Sequence, residues 1–212
     1  VPAYAHLVSF ADQFTRFNTE DAALLVIEFS GADPTFLRQQ ALAVGAGVWL
    51  AETPEVQKNV WAIRKVGLGI LMSRLGANKP VAFIEDIAVP VERLGEFVRA
   101  VQKILAKTGV RSEVYAHASA GCLHIRPILN LKSGEGVANL RSIAFQVVSL
   151  ALSLGGAVSG EHGDGLARSE WIRLAYGARI VGAFEALKYA ADPHHLLNPG
   201  KIVNPQPMDA QL

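Results

Sequence analysis

The chain has 212 residues, half of them hydrophobic, with twenty basic and nineteen acidic side chains and a formal net charge of +1. That balance excludes the cationic footprint of a nucleic-acid binder. A single cysteine, Cys122, excludes an internal disulfide framework and any cysteine-ligated iron–sulfur cluster held by this chain alone.

Residues 1–21 read as a helical lead-in, 22–203 as one domain and 204–212 as a polar tail; with no initiator Met at Val1, the expectation is a fragment of something longer. Positive mean hydropathy hints at a face that a partner normally covers. The dense aliphatic run 23–29, stopped by Ser30-Gly31, predicts a buried strand, and 47–51 a short one. Asp33-Pro34 opens a helix to about Val44. Thr53-Pro54-Glu55 has the order of a helix start: a capping hydroxyl, a proline where a missing N–H costs nothing, and an acid at the positive end of the dipole. That helix carries Arg64 and Lys65 into a glycine-containing stretch at 67–69.

Residues 81–89 alternate as a strand does, and 90–107 repeat Leu94, Phe97, Val98, Val101 and Leu105 at helical spacing. Two strands, 114–117 and 122–131, flank Ala118-Ser119-Ala120-Gly121, and 134–154 is the longest helical pattern. Overlapping its end, 143–158 is the nearest approach to a membrane span, but Gln146, Ser149, Ser153 and a glycine pair interrupt it, and it falls short of the ~20 apolar residues a bilayer needs. It predicts a buried helix, and no transmembrane segment. No secretory signal opens the chain, so a cytoplasmic location is expected, with peripheral attachment to the inner face of a membrane open to the parent. The element order lacks regular βα alternation; the predicted class is α+β, an antiparallel sheet covered by helices.

Chemistry concentrates in two segments. In 115–127, His117 and His124 stand seven positions apart on either side of a turn; in 155–165, Glu161 and His162 sit among five glycines, which let a backbone turn sharply and approach a ligand. His117, His124 and Glu161 form a two-histidine, one-carboxylate set suited to zinc with an open position and to other divalent ions, leaving His162 for proton transfer. Spacing alone equally allows two ordinary surface or hydrogen-bonded histidines. Cys122 beside apolar Leu123 reads as packing rather than as a reactive thiol. Glu85-Asp86 either orients a cation or ends its strand in solvent.

Those two segments, with Leu197-Asn198-Pro199-Gly200-Lys201 near the end, resemble the C-terminal domain of FAD-linked oxidases, the family of D-lactate, D-2-hydroxyglutarate and glycolate dehydrogenases. The family's H-x-G-D-G-N-x-H, G-E-H-G and N-P-G-K occur in order, over nearly the whole chain. Ser119, Ala120 and Cys122 depart from the usual Gly, Asp and Asn, and this version is similar to the branch fused to an iron–sulfur region.

The resemblance implies a ferredoxin-like domain following a FAD-binding domain, with the FAD held mainly outside this chain and an iron–sulfur cluster only in the parent. It implies metal ligation, zinc foremost, by His117, His124 and Glu161, and a substrate carboxylate gripped by Arg64 and Lys79. Arg126 stands where relatives often have Asn; it adds a cation for a second substrate carboxylate or pairs with a protein acid. Asn198 contacts the flavin or only stops a helix. The implied reaction is oxidation of a small D-2-hydroxy acid to the 2-oxo acid, His162 taking the hydroxyl proton as hydride leaves for the flavin. A stand-alone metallohydrolase and a non-catalytic interaction domain are the alternatives. No G-x-G-x-x-G in a βαβ context is present.

Overall fold

Asp33, Thr53 and Ser133 each place a side-chain oxygen where the first free N–H groups of a helix point. The consequences are visible in the computed structural model, which describes residues 23–45 and 47–212. Asp33 Oδ1 accepts from Thr35 N at 2.9 Å and opens α1 (Pro34–Ala43). Thr53 Oγ1 accepts from Val56 N at 3.3 Å ahead of α2 (Pro54–Met72), which carries Glu55 in its first turn as expected. Rather than yielding at Gly67, α2 runs on through Gly69 to Met72.

The chain divides into two compact units between Ser73 and Arg74. The first contains α1 and α2. Neither 23–29 nor 47–51 forms a strand there, contrary to the sequence expectation, and Leu24, Leu25 and Ile27 are exposed. Apolar content alone does not make a strand; a ladder partner must take its N–H and C=O groups, and none does among the described residues.

The second unit holds the sheet. Its strands are β1 (Lys79–Pro80), β2 (Glu85–Ala88), β3 (Ser112–His117) and β4 (Cys122–Leu129), and the first three all pair antiparallel with β4. Of the expected strand at 81–89, only Glu85–Ala88 forms one, and the short β1 precedes that range. Between Glu85, paired with His124, and Ile87, paired with Leu123, Asp86 is an extra residue with φ of 75°, a bulge that re-aims the side chains on either side of it.

A short 3₁₀ turn (Val91–Arg93) leads into α3 (Leu94–Lys107), whose Phe97, Val101 and Leu105 are buried at the spacing the sequence prescribed. Ser133 Oγ accepts from Gly136 N at 3.1 Å and starts α4 (Gly134–Ser153). By length and hydropathy α4 could cross a bilayer, but its stripe of Leu140, Ile143, Ala144, Val147, Val148 and Ala151 is buried in the core against α3 and the sheet. A single turn, α5 (Gly165–Arg168), and α6 (Ile172–Ala191), broken at Gly177, complete the unit. The architecture is α+β: a small antiparallel sheet with helices packed on it.

Candidate metal centre

The hairpin β3–β4 is turned by Gly121, whose φ of 66° suits glycine and whose missing side chain lets the carbonyl of Val89 approach. Strand register then pairs Tyr115 with His124 and His117 with Cys122. His117 at the end of β3 is half-exposed, whereas His124, inside β4, is 1% exposed. Their rings meet edge to face at 5.2 Å, and His162 stacks on His124 at 4.9 Å.

The glycine-rich loop is held to β2 by its main chain. Ala88 and Ala157 exchange two hydrogen bonds, and Gly160 N donates to Asp86 O at 2.7 Å. The fully buried carboxylate of Asp86 accepts from the Ser159 hydroxyl at 2.5 Å, from Glu161 N at 2.9 Å and from His162 N at 2.8 Å. Burial raises the Asp86 carboxyl, but the Ser159 hydroxyl and the His162 and Glu161 amides outweigh it and hold it below the usual carboxylate value. Arg168 closes the loop from the far side, donating to Glu85 O at 3.0 Å and to Gly163 O.

Loop and hairpin together bring three imidazoles to one carboxylate oxygen. Glu161 Oε1 lies 3.4 Å from His117 Nε2, 3.2 Å from His124 Nε2 and 3.4 Å from His162 Nε2. Ligand atoms ~2.0–2.2 Å from a four-coordinate ion stand roughly 3.3–3.6 Å from one another, and the three separations that run to Glu161 Oε1 are close to that edge length. Burial, then the neighbouring His162, lowers the His124 pKa, which favours the neutral imidazole a metal requires. The nitrogen and oxygen donors fit a divalent ion. Two overlapping sets of potential ligands have their donor atoms within 4.8 Å of one another, Asp86, Cys122, His124 and Glu161 in one and Glu85, His124 and His162 in the other; neither includes His117, which approaches only through Glu161 Oε1.

Behind the imidazoles sits Glu85, 4% exposed. Its Oε1 is 3.3 Å from His162 Nδ1 and 3.7 Å from His124 Nδ1, and its Oε2 is 2.6 Å from Arg126 Nη2. Of the two roles open to Arg126, the one observed is pairing with a protein acid. Glu85 and Asp86 do not end the strand in solvent. A run of two acids inside Phe83-Ile84 and Ile87 was the available signal for a buried polar pair, since unpaired acids are too costly there. Nothing in the spacing of Ser159 or Arg168 marked their parts.

The remaining expected site residues lie on other elements. Arg64 is on α2, in the first unit. Lys79, exposed on β1, donates to the carbonyl oxygen of Arg74. Asn198, with φ of 45°, falls in the segment after α6, where Pro199 and Gly200 join Lys188, Tyr189 and Asn204 in lining a cavity of about 250 Å³.

An antiparallel α+β domain thus carries a histidine–carboxylate cluster at its sheet end, a donor set of the kind that could hold a divalent ion. The family model for FAD linked oxidases, C-terminal domain, matches residues 3–202, and the chain belongs to that family. It is 32% identical over 208 residues to D-2-hydroxyglutarate dehydrogenase of Escherichia coli (strain K12), an alignment covering 91% of this chain and 20% of that protein. Against the Pseudomonas putida protein of the same name it is 35% identical over 191 residues, 85% of this chain and 19% of the other. With the mitochondrial D-lactate dehydrogenase [cytochrome] of Arabidopsis thaliana it shares 29% over 196 residues, 89% and 34%. The chain therefore spans about a fifth of the length of the first two.

Proposed function

We propose that this chain is the substrate- and metal-binding part of a flavin-dependent dehydrogenase that oxidises a D-2-hydroxy acid to its 2-oxo acid. The observation that carries the reading is the convergence of three imidazole Nε2 atoms on Glu161 Oε1 in a chain of the FAD-linked oxidase family. His117, His124 and Glu161 would hold a divalent ion, zinc by preference. Such an ion, when bound, polarises a hydroxyl oxygen and lowers its pKa.

The chain's own residues do the rest. His162, on the loop fixed by Asp86, accepts the hydroxyl proton at an imidazole nitrogen. Lys79 supplies a point charge for the substrate carboxylate. Arg126 is engaged with Glu85, so its contribution to the pocket is to balance a buried carboxylate. The flavin, which supplies the oxidant, is assigned in this reading to another part of the parent, since the family of this chain is the C-terminal domain of FAD linked oxidases. Asn198 is the residue of this chain we assign to its edge.

The test is elemental analysis of the chain and of the flavin-containing parent, each beside His117→Ala, His124→Ala and Glu161→Ala variants. Stoichiometric zinc in the parent, lost in every variant, together with flavin reduction by D-2-hydroxy acids, is the expected result. An active parent without metal would refute the ligand assignment.

A further inference from the structure

The main chain of His162 is pinned on both sides, and both pins reach back to one bulged strand. On the near side its N–H donates to the Asp86 carboxylate at 2.8 Å. On the far side Arg168 holds the next residue: its Nε and Nη2 both donate to Gly163 O, at 3.0 and 2.6 Å, while its Nη1 donates to Glu85 O at 3.0 Å. Glu85 and Asp86 are neighbours in β2, and Glu85 stands opposite His124 in the ladder with β4. The place of the His162 ring, stacked on His124 at 4.9 Å, is therefore referred to the strand that pairs with His124.

Packing does not restrain the far side. Gly163 has φ of 79°, and a Cβ built on it meets no atom beyond its chain neighbours within 4 Å. A glycine with such room samples a wide range of backbone angles, and the imidazole one residue earlier swings with it unless the peptide is held. Arg168, 8% exposed, holds it. A guanidinium presents its N–H groups in one fixed plane, so two can meet one carbonyl while a third meets another; a lysine ammonium has no such fork.

We infer that Arg168 is the positioning residue of His162, fixing through the Gly163 carbonyl the direction in which that imidazole meets the substrate. The purpose rests on the function proposed above, in which His162 takes the hydroxyl proton; the clamp rests on its hydrogen bonds alone. Arg168 touches neither substrate nor flavin in that scheme. A base must stand in line with the proton it takes, and a displacement of about 1 Å costs on the order of 10²-fold in rate.

Two measurements on Arg168→Met and Arg168→Lys test it. In the 212-residue chain, hydrogen exchange read by NMR compares the amides of Glu161 and His162 with those in the middle of α4. In the flavin-containing parent, stopped-flow absorbance follows flavin reduction by D-2-hydroxyglutarate and by D-lactate. In R168M the two loop amides should exchange at least about tenfold faster with α4 unmoved, a local opening rather than a global one. Flavin reduction at saturating substrate should fall about 10²-fold while KM stays within about threefold, and R168K should lie between R168M and the wild type in both. Wild-type flavin reduction in R168M, whatever its melting temperature, would overturn the proposal, and so would a loss confined to KM. Should R168M not fold, R168K decides: slowed reduction with KM kept supports the clamp, and wild-type reduction with wild-type exchange overturns it. A wild-type parent whose flavin neither hydroxy acid reduces would sink the proposed function, and faster loop exchange in R168M would still leave Arg168 as the residue that holds His162.

Discussion

The carboxylate of Asp86 accepts the main-chain N–H of His162 at 2.8 Å across 76 residues of sequence. With the Ser159 hydroxyl and the amide of Glu161 bound to the same group, one buried side chain fixes the loop that presents two of the four converging residues. Its φ of 75° is uncommon for a residue with a side chain and is maintained by these bonds. Asp86→Ala leaves two amides and a hydroxyl without their charged acceptor, and the expected loss is about 3 kcal/mol in urea denaturation. Zinc affinity should fall at least about tenfold, because Glu161 and His162 are no longer held. A variant with wild-type affinity would show that the loop keeps its shape without Asp86.

Gly121 governs the other half of the cluster. A Cβ built there falls 1.9 Å from Val89 O, and φ is 66°, so alanine meets both a steric and a conformational penalty. Val89 N donates to Gly121 O at 3.0 Å, which ties the two backbones together and prevents an easy retreat. Gly121→Ala should cost about 2–4 kcal/mol, and His117 and His124, on the strands it joins, should lose their shared approach to Glu161. Parallel measurement of denaturation midpoint and zinc binding checks both.

How much of this was legible beforehand follows from which interactions are local. The helix starts at Asp33 and Thr53 depend on bonds within three residues, and the buried stripe of α3 repeats within a few turns, so sequence reports them directly. The two histidine segments were legible as motifs. What sequence did not carry were long-range facts: that β2 bulges at Asp86, that Glu85 bonds Arg126 across a ladder, and that Arg168 reaches Glu85 O over 83 residues. The run 23–29 failed in the opposite direction, since its composition suits a strand but strand formation depends on a neighbour.

Cys122 tests how dry this region is. The thiol is 5% exposed; burial, followed by its contact with the Asp86 carboxylate, pushes its pKa up to about 12. At pH ~8 the thiolate fraction is then on the order of 10⁻⁴, against roughly a quarter for a free cysteine. Alkylation by iodoacetamide should be about three orders of magnitude slower in the native chain than in urea. Rapid native labelling at a single site would show that water reaches the space between Asp86 and the hairpin.

Asp192 provides a pH signature away from the cluster. Its carboxylate takes a 2.5 Å bond from Lys188 Nζ and the N–H groups of Leu197 and Leu196, each at 2.9 Å, which tie the end of α6 to the Asn198-Pro199-Gly200 turn. The Lys188 ammonium first, then the Leu197 amide, hold the pKa near 2, against the opposing effect of burial. The unfolded chain has its aspartate near ~3.9. A depressed folded pKa means that unfolding takes up protons in the interval between the two values. The stabilisation is therefore fully present above about pH 4–5 and is lost as the pH falls toward 2. Asp192→Asn keeps the side chain's shape but not its charge, so the melting temperature of the variant should lie below that of the wild type by a constant margin from pH 7 to about pH 5. Below that the margin should narrow steadily as the wild-type carboxylate protonates. A margin independent of pH down to the acid limit would mean that the turn is held by the shape of the side chain rather than by its charge.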